Sequence, residues 1–205
     1  MKLLLVDDHI VVREGLRRLL AAFFDLVVIE AASSREALTL FRAEHPDLVL
    51  LDINLPGLGG LDLLRRFLIL EPNARVLVFS MHANPVYVAK ALDAGARGYV
   101  SKGAAAEELV EAVKIVAAGG RYLEREIATE LALHLTSPGE HTRELSAREL
   151  DILRLLALGK SLGAIAEELG MSYKTIANSC TAIKQKMMLQ TSSELIKLAI
   201  EIHGS

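Results

Sequence analysis

The sequence predicts an α/β fold, a doubly wound parallel sheet of five strands, followed by a small all-α domain. Three observations carry this reading. Strand-like and helix-like stretches alternate about five times over residues 2–118. The strand-like stretches are unbroken Leu/Val/Ile runs, as expected when helices cover both faces of a sheet. Residues 144–205 carry no strand pattern at all.

In chain order, strands are expected near 2–7, 26–30, 47–52, 75–80 and 97–101, and helices near 10–22, 34–44, 58–70, 85–94 and 104–118. Ser33 followed by Glu36 has the spacing of a capping box for the second helix. Pro46 and Pro72 fall in helix-to-strand connections, where a proline breaks no helix interior. Gly119 and Gly120 close the fifth helix, and an amphipathic stretch, 124–134, follows. Residues 136–142, Thr-Ser-Pro-Gly-Glu-His-Thr, are the segment with linker composition. The chain therefore divides into a domain over 1–120, a helical extension and linker over 121–143, and a second domain over 144–205. That last part reads as four helices, near 146–158, 161–169, 173–187 and 192–203. Ser146 with Glu149 and Thr191 with Glu194 have capping-box spacing at the first and last of them.

Composition narrows the classes. At 205 residues and 52% hydrophobic content there is material for two packed cores. No apolar run approaches the roughly 18–20 residues that a membrane span needs. The N-terminus runs straight into a strand with no small-residue cleavage site behind it. Cys180 is the only cysteine, so no internal disulfide can form. These features together predict a soluble cytoplasmic protein that makes no membrane contact.

The chemistry-bearing residues sit just past the ends of the apolar runs. Lys2–Val6 leads into Asp7 and Asp8, Leu48–Leu51 into Asp52, 76–79 into Ser80, and Gly98–Ser101 into Lys102. Ligands of an open parallel sheet bind outside the carboxyl ends of its strands, so these groups are expected at one rim. Three clustered carboxylates repel one another unless a hard cation joins them, which predicts Mg²⁺. Asp52 ends the central strand, and Asn54, Pro56 and Gly57 turn the chain away, which is expected to leave its carboxylate exposed at the rim as the candidate nucleophile toward phosphorus. Asp7, Asp8 and Asp52 form the metal set, with Asp8 a direct ligand, Asp7 acting through water and the Asn54 carbonyl a further ligand. Lys102 supplies a fixed positive charge to the phosphoryl group and Ser80 a hydrogen bond. His9 and His82 read as rim or surface residues without metal-ligand spacing.

Asp7-Asp8, Asp52 with Pro56-Gly57, Ser80, Tyr99 and Ser101-Lys102-Gly103 resemble the receiver domain of two-component response regulators over the whole of 1–120. The resemblance implies a flavodoxin-like sheet in the order 2-1-3-4-5. It also implies phosphorylation of Asp52 by a partner histidine kinase and a switch in which Ser80 moves toward the phosphoryl group as Tyr99 turns inward. Two rivals fail. A haloacid-dehalogenase-type phosphatase would want a second Asp at position 54, which is Asn. A nucleotide-binding domain would want a glycine-rich loop after the first strand, where this chain reads Asp-Asp-His-Ile-Val-Val-Arg-Glu-Gly.

In the second domain Ile165, Leu169, Ile176, Cys180, Ile183 and Met187 form an apolar stripe through two helices separated by Gly170-Met171-Ser172, which is helix-turn-helix spacing. The other face of the second of these helices carries Lys174, Ala177, Asn178, Thr181, Lys184 and Gln185. Such a face fits the major groove: Asn reads adenine, a methyl touches thymine, and the lysines hold phosphates. Leu145-Ser-Ala-Arg-Glu149, Ile165-Ala-Glu-Glu-Leu169 and Lys174-Thr175-Ile176 resemble the LuxR-type helix-turn-helix domain. A receiver joined to it is the arrangement of the NarL/FixJ subfamily, and Thr175 joins the DNA-contacting set by this resemblance. The chain departs from many relatives, which carry Lys at the position of Ala177 and His or Tyr at that of Ser179. Residues 141–205 hold eight Lys/Arg against seven Asp/Glu, a net charge of only +1, so modest DNA affinity that needs a dimer is expected. The apolar last helix, with Leu195, Ile196, Ala199, Ile200 and Ile202, is expected to supply part of a homodimer interface.

The combined reading is a transcriptional regulator rather than an enzyme, with phosphoryl acceptance and slow self-dephosphorylation as its only chemistry. Its expected partners are a histidine kinase, promoter DNA and a second copy of itself. The alternative is a signalling protein that acts through protein contacts, with the helical domain an oligomerisation module.

Overall fold

A computed structural model describes residues 1–55, 59–81, 83–136, 145–187, 189 and 191–203. Pro56, Gly57, His82 and linker residues 137–143 lie outside the described residues. The chain divides into two compact units, Met1–Leu135 and Thr136–Ser205.

The first unit runs β1 (Lys2–Val6), α1 (Ile10–Ala21), β2 (Val27–Ala31), α2 (Ser34–Glu44), β3 (Leu48–Leu51), α3 (Gly60–Leu70), β4 (Val76–Ser80), α4 (Pro85–Asp93), β5 (Gly98–Ser101), α5 (Ala106–Ala117), β6 (Tyr122–Leu123) and α6 (Arg125–Thr136). All strand pairings are parallel, in the order β2-β1-β3-β4-β5-β6. The fold class and strand order follow the expectation, with one correction: the sheet has six strands rather than five. The sixth, Tyr122–Leu123, pairs with Gly98 and Tyr99. Two residues are too few to establish an apolar run, so only the pairing partner reveals it.

The continuous apolar runs are explained by burial on both faces. Leu3, Leu5, Leu48, Leu50, Leu77, Phe79 and Val100 share one core with Leu16 and Leu20 of α1 and Leu109, Ala112, Val113 and Val116 of α5. The alternate residues Leu4, Val6, Val49, Leu51, Val76 and Val78 are equally buried, and strand alternation sends them to the opposite face. There α2 and α3 pack together, with the rings of Phe41 and Phe67 4.5 Å apart. Such a core fixes the strand register, and with it the height at which each strand's last side chain emerges.

Gly60 brings α3 close to the rim. A Cβ there would sit 2.3 Å from Ile53 Cα and 2.7 Å from the Asp52 carbonyl oxygen, so only glycine lets the start of α3 approach Asp52 and Ile53 this closely. The Gly60 N–H donates to the Ile53 carbonyl at 3.1 Å.

The second unit contains α7 (Ala147–Ala157), α8 (Leu162–Glu168), α9 (Tyr173–Lys186) and α10 (Ser192–His203), with α7 packed chiefly on α10 and α8 on α9. Each start is marked by a side-chain cap: the Ser161 hydroxyl accepts from Ala164 N–H, Ser172 from Thr175 N–H, and Thr191 from Glu194 N–H. At α7 the expected capping box is complete, with Ser146 and Glu149 each accepting the other's backbone N–H. Glu149 is buried and also meets Lys186 of α9 at 2.8 Å. Burial alone would raise its carboxyl, but Lys186 and the Ser146 bonds outweigh that and hold it below the usual carboxylate range. The turn between α8 and α9 takes Gly170 at φ +63°, a left-handed conformation in which a Cβ is unfavourable. Among the described residues, no helix is long and apolar enough to cross a membrane.

Candidate functional site

The parallel ladder delivers three strand ends to one rim. The Asp7 N–H donates to Ala31 of β2 at 3.1 Å, and the Asp52 N–H to Val6 of β1 at 2.9 Å. The Lys102 N–H donates to Ser80 of β4 at 2.8 Å, so its backbone continues the sheet by one residue.

Contrary to the expectation of an exposed carboxylate, Asp52 is nearly sealed from solvent at 2% exposure, as is Asp7 at 1%, with the Lys102 side chain lying against both. Burying two carboxylates side by side costs several kcal/mol each unless they are compensated. Lys102 provides the compensation. Its Nζ lies 2.5 Å from Asp52 Oδ2 and 2.6 Å from Asp7 Oδ2. Asp52 Oδ1 accepts the Asn54 N–H at 2.9 Å, and Asp7 Oδ1 accepts the His9 N–H at 2.8 Å. Burial still raises the Asp52 carboxyl above its ordinary value, because desolvation outweighs the attraction of Lys102 while Asp7 adds repulsion. Burial would lower the Lys102 ammonium, yet the two carboxylates overcome it and raise it.

Asp8 is exposed on the solvent side, and its Oδ1 lies 2.9 Å from His9 Nδ1, which is also 3.1 Å from Asp7 Oδ1. Asp7, Asp8, His9 and Asp52 each offer a ligand atom within 4.8 Å of all the others. The three carboxylates outnumber the single Lys102 ammonium, so a hard divalent cation fits the donor set and its charge. His9, expected only at the rim, joins this set. Its adjacency to Asp7 and Asp8 was visible, but the turn that swings its ring back over them was not. Arg13 supports the same turn: its Nη1 donates to the Asp7 carbonyl at 2.7 Å and its Nε to Glu30 at 3.1 Å.

Ser80 and Tyr99 lie behind the acids. Both are fully buried and hydrogen-bonded to each other, and the Asn54 side-chain amide donates to Ser80 Oγ at 3.3 Å. Burial, with smaller contributions from Asp52 and Glu124, pushes the Tyr99 hydroxyl well above its ordinary value, so it stays protonated. Asp52, Asn54, Ser80 and Tyr99 thus form one chain of polar contacts from the rim into the core. Tyr99 occupies the inward position that the resemblance assigned to one end of a switch.

In the second unit the expected recognition face lies along α9. Lys174, Thr175, Asn178, Thr181 and Gln185 are exposed, while Ala177 and Lys184 are half-buried. The Thr175 hydroxyl meets Ser172 Oγ at 2.8 Å, and the Thr181 hydroxyl donates to the Ala177 carbonyl at 3.1 Å. The Asn178 and Gln185 amides stand on the same exposed face. Ile165, Leu169, Ile176, Cys180 and Ile183 are buried as the stripe predicted, and Met187 is half-buried.

Comparison with known proteins gives three concordant findings. The family model for the response regulator receiver domain matches residues 3–114, and that for bacterial regulatory proteins of the luxR family matches 143–199. The second match favours DNA binding over a purely oligomeric helical module. Among curated relatives, the transcriptional activator protein ExaE of Pseudomonas putida is 42% identical over 98% of this chain and 96% of its own. The response regulator GacA of Pseudomonas aeruginosa is 37% identical over 99% and 96%. Among solved structures, RcsB of Salmonella enterica serovar Typhimurium bound to promoter P1flhDC has a TM-score of 0.74, covering 98% of this chain and 99% of that one at 24% identity, a likeness of fold.

Proposed function

The chain belongs to the response regulators that join a receiver domain to a LuxR-type DNA-binding domain, and on that premise we propose that Asp52 is its phosphoacceptor and α9 its DNA-reading helix. It is a transcriptional response regulator. The observation that carries the site reading is the sharing of one ammonium, Lys102, by the two buried carboxylates Asp7 and Asp52.

In this reading a carboxylate oxygen of Asp52 attacks the phosphorus of a phosphohistidine on the partner kinase. The new O–P bond forms as the P–N bond breaks, and the electron pair returns to the imidazole nitrogen. Asp7, Asp8, Asp52 and the Asn54 carbonyl would hold Mg²⁺, which would supply positive charge to offset that on the phosphoryl oxygens. Lys102 neutralises a further share from a fixed position. Transfer of this kind is largely positioning, and burial of Asp52 contributes by removing competing water. The phosphoryl group draws on Ser80, and Tyr99 carries that change to the surface around α4, β5 and α5. Slow self-dephosphorylation by water resets the state.

The output is promoter binding by a homodimer in the cytoplasm, with phosphorylation shifting the population toward the binding-competent form. Lys174 and Lys184 hold phosphates, while Thr175, Ala177, Asn178, Thr181 and Gln185 face the bases. The functional divisions are 1–120 for acceptance, 121–143 for connection and 144–205 for DNA. The test is Asp52→Asn in full-length protein with a small phosphodonor and Mg²⁺. Loss of the phosphorylated species, together with loss of donor-stimulated binding to promoter DNA, is expected. A variant that keeps both overturns the reading.

A further inference from the structure

Glu124 is a buried carboxylate, 6% exposed, that the phosphoryl chemistry above does not use. It follows β6 directly, and both its oxygens turn back to one residue. Oε2 accepts the Ser101 N–H at 2.6 Å and Oε1 accepts the Ser101 hydroxyl at 3.2 Å. The Glu124 N–H donates to the Tyr99 carbonyl at 3.1 Å, and its own carbonyl accepts from Ala128 at 2.8 Å, starting α6. One residue therefore grips the end of β5 at positions 99 and 101 and begins the next helix.

Lys102 comes immediately after that grip. From the other side its N–H is held by Ser80. A lysine has four rotatable methylenes and little intrinsic orientation, yet this one places its ammonium 2.5 Å and 2.6 Å from two carboxylates on different strands. Such placement requires a fixed backbone beneath the side chain, and displacement by an ångström degrades it. A short hydroxyl would cap the start of α6 equally well. The longer, charged Glu124 instead reaches back into the β5–α5 turn with charge-assisted bonds, which are the stronger kind.

We propose that Glu124 is the positioning residue for Lys102: by taking both donors of Ser101 it sets the β5–α5 turn and ties the lysine to the start of α6. The proposal rests on the reading of Lys102 given above. The tie runs both ways, so a shift of the phosphoryl-side lysine is felt at α6, and a strain on α6 is felt at the lysine.

The experiment uses full-length protein. Glu124→Met keeps the side-chain length and removes both acceptors. Glu124→Gln restores the tether without charge, since its oxygen accepts the Ser101 N–H and its amide donates to Ser101 Oγ. Phosphorylation by phosphoramidate with saturating Mg²⁺ is followed by intact-protein mass, and Mg²⁺ affinity by calorimetry. E124M is expected to react about tenfold more slowly, and E124Q within about threefold of the parent. Mg²⁺ affinity should not fall in either variant, because its carboxylates hang from other strands and a displaced Lys102 competes for them less. In a Lys102→Ala background, E124M should add no more than about twofold.

Parental rates in E124M, an undiminished effect without Lys102, failure of E124Q to rescue, or a parallel fall in Mg²⁺ affinity would each overturn the proposal. Should E124M not fold, Ser101→Ala takes its place: a slowing of about threefold supports the tether and no slowing refutes it. If Asp52→Asn still accepts the phosphoryl group, the site reading itself falls, whatever the Glu124 variants do.

Discussion

The ammonium of Lys102 lies 2.5 Å from Asp52 Oδ2, and the same nitrogen serves Asp7 Oδ2 at 2.6 Å. Lys102 thus occupies an oxygen on each of two residues assigned to Mg²⁺. Removing it should have opposite effects on metal binding and on stability. Lys102→Met is expected to bind Mg²⁺ about tenfold more tightly, as a competitor for the carboxylates is gone. Without Mg²⁺ it should lose about 3–5 kcal/mol of stability from the uncompensated buried acids. Calorimetric titration and denaturant unfolding with and without Mg²⁺ check both, and a variant with unchanged Mg²⁺ affinity contradicts the geometry.

Glu149 predicts how stability responds to acid. Lys186 and the Ser146 bonds hold its folded carboxyl below its ordinary value of 4.5. Its contribution is therefore fully present above that value and is lost as pH falls through the lower folded one. Glu149→Gln should be less stable than the parent at neutral pH by roughly 2–3 kcal/mol and should unfold with a shallower acid dependence. Denaturant midpoints across acidic pH measure this. Equal slopes in parent and variant would show that the Lys186 and Ser146 contacts do not hold in solution.

The face of α9 separates affinity from specificity. Lys174→Ala should weaken binding to all sequences and reduce the salt slope by about one unit. Asn178→Ala should cost about 1–3 kcal/mol on the preferred site and little on unrelated DNA. Anisotropy titrations over a range of salt, on matched and scrambled duplexes, distinguish the two. A uniform loss in Asn178→Ala would move that residue from the base-reading set to the phosphate-holding set.

Cys180 is buried on the inner side of α9, and burial pushes its thiol up while Lys184 offsets part of the shift. Thiolate is then scarce at neutral pH. Alkylation of the folded chain should be at least about tenfold slower than that of the urea-unfolded chain. Equal rates would identify an accessible, reactive thiol.

Much of this architecture was legible because it depends on local pattern. Unbroken apolar runs predicted a sheet covered on both faces, and Asp52, Ser80 and Lys102 could be placed at one rim once the runs were read as parallel strands. Ser146 with Glu149 gave the α7 start by spacing alone. Other features escaped because they depend on partners distant in sequence. Leu123 is a strand residue only beside Tyr99. Glu124 read as the start of an amphipathic stretch, and its role follows from where Ser101 lies. His9 differs again: its neighbours were known, but the direction of its ring was not.

The order of residue types along the chain determined by itself the fold class, the two-part organisation and the set of groups gathered at the strand ends. These follow from burial periodicity and from the geometry of parallel strands, which need no knowledge of particular contacts. Only the tertiary structure decided how the charges are shared. Lys102 divides its ammonium between Asp7 and Asp52, Ser80 and Tyr99 are joined behind them, and Glu124 holds the turn that carries the lysine. The physical reason is that hydrogen bonds and ion pairs act over a few ångströms, so their partners are settled only when the packed core brings the strands into register.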